Sequence, residues 1–91
     1  SGRGFGSHTN QRIVLPENVF VGASAFYGSS ELAEVVFPQH TKAIWKGAFE
    51  GCTQLKVLSL NHVDFISGCA FQKMPAVERI EVNGDVGQLD G

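Results

Sequence analysis

The sequence predicts a repeat solenoid, a short right-handed α/β coil. A parallel β-sheet is expected on the concave face, with short helical or 3-10 turns and short second strands on the other faces. Three observations predict it. An Ala-Phe pair recurs at Ala25-Phe26, Ala48-Phe49 and Ala70-Phe71, at intervals of 23 and 22 residues. Each pair follows a branched aliphatic (Val21, Ile44, Ile66) and precedes an apolar residue (Leu32, Leu55, Val77) at fixed distances. Behind these, two apolar columns recur in the same frame: Ile13, Val35, Leu58, Ile80 and Leu15, Phe37, Leu60, Val82.

Written out, VGASAFYGSSELAEVVFP, IWKGAFEGCTQLKVLSLN and ISGCAFQKMPAVERIEVN are one frame repeated, and RIVLP supplies the end of an earlier copy. A period of 22 or 23 residues falls in the range of leucine-rich repeats. In VLSL, Leu58 and Leu60 point to one side of a strand while Val57 and Ser59 point to the other. So short a strand is not stable alone. Stacking copies about 4.8 Å apart makes the strands a parallel sheet and turns their inward residues into continuous columns.

The Phe segment must then cross the back of the coil. Phe26, Phe49 and Phe71 are expected to form an aromatic spine, closed by Leu32, Leu55 and Val77. A helical turn is expected over 46–52, and a second short strand around Val19 to Val21, Ala43 to Ile44 and Phe65 to Ile66. The expected core is thus Phe26, Phe49, Phe71, Leu32, Leu55, Val77, Val35, Leu58, Ile80, Phe37, Leu60 and Val82. Residues 12–83 form the repeat domain, about three and a half repeats of 22–23 residues. Residues 1–11, opening SGRGFGSHTN, read as a flexible or tag-like tail, and residues 84–91 as a tail or partial cap.

The segment IWKGAFEGCTQLKVLSL resembles the BspA-like, or treponemal-type, leucine-rich repeat, and the likeness spans residues 12 to 83. The family's cysteine position falls on Cys52, with Ser29 and Met74 in the neighbouring copies. The resemblance implies a cell-surface or secreted protein associated with adhesion to proteins or cells.

Composition narrows the function. A chain of 91 residues holds one domain. Its net charge of −2, with seven dispersed basic residues, offers no footprint for nucleic acid. No apolar run approaches the length needed to span a bilayer. No cofactor is implied.

On the concave face the outward side chains are Arg12, Val14, Glu34, Val36, Val57, Ser59, Arg79 and Glu81. Arg12 and Glu34 form a cross-strand pair there, worth a few tenths to about 1 kcal/mol if exposed. Val14, Val36 and Val57 make an apolar patch suited to a protein contact, although valine also favours strands for its own sake. Trp45 follows the inward Ile44 and is expected off the back or edge, as an exposed contact or as cover for a neighbouring turn.

Reactive side chains are better explained by packing. Cys52 and Cys69 occupy different places in the frame, which disfavours a disulfide, and Cys52 suits the role of a small hydrophobe. His40 lies two residues after Pro38 and His62 one after Asn61, so the two need not face the same way; no metal motif includes them, Asp64 or His8. GRGFG lacks the strand and helix of a nucleotide loop, and no nucleophile elbow is present. The expected function is a non-enzymatic protein-interaction or adhesion module, a fragment of a larger surface protein. The alternative is a structural spacer, with an enzyme a distant third. The partner is a protein of unknown identity, and the ends of the solenoid invite self-association.

Overall fold

The computed structural model describes residues 11–90. Eight strands run in chain order: β1 (Gln11–Val14), β2 (Val19–Val21), β3 (Leu32–Val36), β4 (His40–Ile44), β5 (Val57–Leu60), β6 (His62–Ile66), β7 (Arg79–Val82) and β8 (Val86–Leu89). Odd strands form one four-stranded sheet in the order β1-β3-β5-β7, and even strands form another, β2-β4-β6-β8. Every pairing is parallel. Each turn of the chain therefore contributes one rung to each sheet.

The expected α/β coil is corrected here, because the described residues contain no helix. The stretch 46–52, expected as a helical turn, is a run of alternating bonds. Ala48, Glu50 and Cys52 donate their N–H groups to Trp45, Gly47 and Phe49 within the coil, whereas Gly47 and Gly51 donate to Cys69 and Lys73 of the next. The preceding coil does the same: Ala25, Tyr27 and Ser29 bond internally, while Ser24, Phe26 and Gly28 donate to Lys46, Ala48 and Glu50. A helix would direct all these groups along its own axis. Here about half of them hold adjacent coils together.

That alternation requires left-handed backbone at regular points. Gly28, Gly51 and Lys73 share one position in the frame and have φ of 71°, 80° and 52°; Ser24 and Gly47 share another, at 56° and 64°. Glycine adopts this region without the steric penalty that a Cβ brings.

The core lies between the two sheets and the Phe-bearing crossing. Leu32, Phe49, Leu55, Leu58 and Leu60 are completely buried, with Val35 and Phe37 nearly so. Phe26, Phe71 and Val77 pack on this core from partly buried positions. Ile80 and Val82 continue their columns in register with Leu58 and Leu60, yet are 39% and 49% exposed. They stand on the last described rung of the first sheet, where a neighbour covers them from one side alone. The stretch 84–91, expected as a tail or partial cap, contains β8, which pairs with β6 through Val63↔Val86 and Ile66↔Leu89. Of the expected N-terminal tail, Gln11 opens β1 and the rest lies outside the described residues.

The corner between the sheets is polar. Glu17 accepts the N–H groups of Gln39 and His40, both at 3.0 Å. The Asn61 amide donates to the Phe37 and Pro38 carbonyls at 3.3 and 2.9 Å. These side chains satisfy backbone groups that the ladders leave open where the chain changes sheet.

Candidate functional site

The outward face of the first sheet carries the residues expected on the concave face. Arg12 and Glu34 are register partners, and Arg12 Nε lies 3.4 Å from Glu34 Oε1. Arg79 and Glu81 pair along β7 at 2.7 Å, and Ser59 Oγ donates to Glu81 at 3.4 Å. Val14 is exposed, while Val36 and Val57 are half-buried. Between β3 and β5 the recorded register is the single pair Val36↔Ser59, and a shallow depression lined by Ala33, Glu34, Lys56 and Val57 opens there. This face is mixed in character: charged pairs at both ends and a small apolar centre.

The second sheet carries a different surface. Phe20 and Phe65 are each register partners of Ala43, one rung to either side, and Trp45 follows β4. The Phe20 and Trp45 rings are 5.9 Å apart and those of Trp45 and Phe65 5.1 Å, both pairs tilted. Phe20 is 59% exposed and Trp45 38%, whereas Ala43 beneath them is 5% exposed. The three rings thus form a ladder across three rungs, with the small alanine as its floor. Trp45 packs between Phe20 and Phe65 and keeps part of its ring in solvent.

Phe20 and Phe65 were not among the site residues that the sequence suggested. Their signal is the period of two: with Val21 and Ile66 inward, the preceding Phe in VFV and DFI must turn out. Tyr27, the most exposed of the aromatic rings named here, stands apart from this ladder beside a groove lined by Gly28, Glu50, Gly51, Lys73 and Pro75.

A third cluster brings the two histidines together. His40 and His62 are register partners, their rings 5.2 Å apart. Asp64 bridges them, with Oδ2 at 2.9 Å from His40 Nε2 and Oδ1 at 2.9 Å from His62 Nε2. These hydrogen bonds, from His40 first and His62 second, hold the Asp64 carboxyl below its ordinary pKa. The unequal spacing after Pro38 and Asn61 left the orientation of the two histidines open; the register of β4 and β6 sets them side by side.

The cysteines are free and unlike. Cys52 is buried and donates its thiol to the Phe26 carbonyl at 3.3 Å, while Cys69 is exposed. Burial pushes the Cys52 thiol pKa up, against a smaller lowering from a backbone hydrogen bond at Ser29. A thiol so placed is a packing group and a poor nucleophile.

A family model described as a BspA type leucine rich repeat region of six copies matches residues 4–90. The chain belongs to this family. No curated protein and no solved structure matches it. Leucine-rich repeat domains are generally associated with protein–protein interaction and are generally non-catalytic scaffolds. This BspA-type domain is accordingly a scaffold rather than an enzyme. Among the described residues no helix is long and apolar enough to cross a membrane.

Proposed function

We propose that the domain is a protein-binding module, serving adhesion as part of a larger surface or secreted protein, with the Phe20–Trp45–Phe65 ladder at the centre of its contact surface. The observation that carries this reading is three aromatic rings packed in sequence on consecutive rungs, with Phe20 and Trp45 exposed and Phe65 half-buried. Exposed aromatics offer large apolar area at little cost in side-chain entropy, and aromatic residues dominate the energetics of protein interfaces. The mixed face bearing Val14, Val36 and Val57 is the secondary contact. Surface or secreted localisation rests on the family resemblance.

The test uses labelled protein binding to whole cells, read by flow cytometry. The doubly substituted Phe20→Ser, Trp45→Ala protein should bind at least about tenfold more weakly than the native chain. Substituting Val36 and Val57 by lysine should have a smaller effect. Circular dichroism checks that each variant keeps its sheets. Binding unchanged in both variants would leave the domain as a spacer without recognition of its own.

Self-association is a second reading, supported by Ile80, Val82 and Leu89, which stand 39%, 49% and 71% exposed on the last described rungs. Light scattering that shows a monomer at high concentration, unchanged by Val82→Lys, would dismiss it.

A further inference from the structure

The corner between the sheets gathers two histidines and a carboxylate within reach of one another. His40 Nδ1 lies 2.6 Å from the side-chain oxygen of Asn18. An amide oxygen only accepts, so Nδ1 carries a hydrogen; a neutral ring then presents Nε2 as a lone pair, whereas a protonated ring donates from both nitrogens. Nε2 faces Asp64 Oδ2 at 2.9 Å, and an ionised carboxylate is an acceptor alone. With the ring protonated this contact is a charge-assisted hydrogen bond; with the ring neutral, Nε2 and Oδ2 are two acceptors that a bound cation would bridge. His62 Nε2 faces the other oxygen of the same carboxylate, also at 2.9 Å.

The three groups each offer a ligand atom, and these atoms lie within 4.8 Å of one another. Zinc bonds of about 2.0–2.1 Å to nitrogen and oxygen place tetrahedral ligands about 3.3–3.4 Å apart. Rotation of partly exposed side chains is enough to reach that spacing. The backbone beneath them is braced. Glu17 holds the His40 N–H at 3.0 Å. On the next rung Gly84 and Gly87 pack so closely that an added Cβ would lie 2.8 Å from His62 N and 2.7 Å from Asp64 O. The Asn18 contact is the outer hydrogen bond that a metal-binding histidine characteristically donates, fixing both tautomer and ring orientation.

We propose that His40, His62 and Asp64 form a surface site for a divalent transition-metal ion, zinc in the first instance, bound by two imidazole nitrogens and one carboxylate oxygen. Water completes the coordination. Imidazole ligands favour zinc, copper and nickel, whereas an all-oxygen set would be needed to favour magnesium or calcium.

The experiment is calorimetric titration of the chain with Zn²⁺ at neutral pH, in a His8→Ala background that removes the remaining histidine. The expected result is one ion per chain, with no displacement by excess Mg²⁺ or Ca²⁺. His62→Ala and Asp64→Asn should each weaken binding at least tenfold. Asn18→Gly keeps the left-handed backbone at this position, where φ is 60°, and removes the outer acceptor. It should weaken binding by roughly tenfold. Co²⁺ substitution should give visible absorption bands that vanish in His62→Ala. Circular dichroism confirms folding, and Asp64→Asn, nearly isosteric, keeps the test valid if an alanine variant unfolds. Absence of saturable Zn²⁺ binding, or affinity in Asp64→Asn and His62→Ala unchanged from that of the His8→Ala parent, overturns the proposal and leaves a proton as the bridging cation.

Discussion

Phe26 and Phe49 sit one coil apart with their rings stacked 4° from parallel and their centroids 5.2 Å apart. Phe37 meets Phe49 edge-on at 6.1 Å, so Phe49 touches aromatic rings in two geometries and is fully buried. Phe49→Ala should cost about 3–5 kcal/mol, a large share of a small domain's stability. Phe26→Ala should cost less, because Phe26 is partly exposed. Urea unfolding followed by circular dichroism measures both. Equal costs would mean that the stack, and not burial, sets the energy.

Gly51 and Lys73 occupy the same left-handed position in successive coils, at φ of 80° and 52°. A Cβ on Gly51 would also meet the Gly28 backbone at 3.3 Å. Gly51→Ala should therefore lower stability by about 1–2 kcal/mol. Lys73→Gly is the reverse experiment. It relieves the left-handed penalty but adds chain entropy to the unfolded state, for a net gain of up to about 1 kcal/mol. Thermal unfolding of the two variants should move in opposite directions, and a fall in both would reject this account.

Thr41 is the polar member of an inward column whose register partners are Val19 and Val63, with Val86 beyond. It is fully buried, and its hydroxyl has no hydrogen-bond partner among the described residues. Thr41→Val keeps the β-branched shape and removes the buried hydroxyl. Stability should rise by about 1 kcal/mol. A loss of that size in urea unfolding would show that the hydroxyl is satisfied in solution.

Cys52 and Cys69 should separate cleanly in a labelling experiment. Cys69 is exposed, while Cys52 is buried with its thiol pKa pushed up by that burial. The reactive species is the thiolate, so both effects slow Cys52 in the folded chain. Timed alkylation with mass spectrometry should find one fast modification, at Cys69, and a second that appears only with denaturant. Rapid modification of both would contradict the assigned packing of Cys52 beside Phe26 and Phe49.

Much of this was readable in the sequence. The Ala-Phe pairs, the inward columns and the two strands per coil follow from apolar spacing, because a repeat can bury its apolar side only against its neighbours. The crossing was read less well. KGAFEGC has the length of a helical turn, but Gly47 and Gly51 adopt left-handed backbone and give their N–H groups to the next coil. Local propensity carries no record of a hydrogen-bond partner 22 residues away. The aromatic ladder was half legible: Trp45 stood out, while Phe20 and Phe65 needed a period-two reading of strands only three and five residues long.

By itself the sequence determined the repeat, its period and which side chains form the columns, since these depend on the order and spacing of apolar residues. The tertiary structure decided what lies side by side across rungs. It set His40 beside His62 with Asp64 between them, lined up Phe20, Trp45 and Phe65, and left Ile80 and Val82 partly open on the last described rung. The physical reason is register. A single residue more or less at a corner changes which side chains meet, and the corner bonds of Glu17 and Asn61, formed only when coils stack, fix that count.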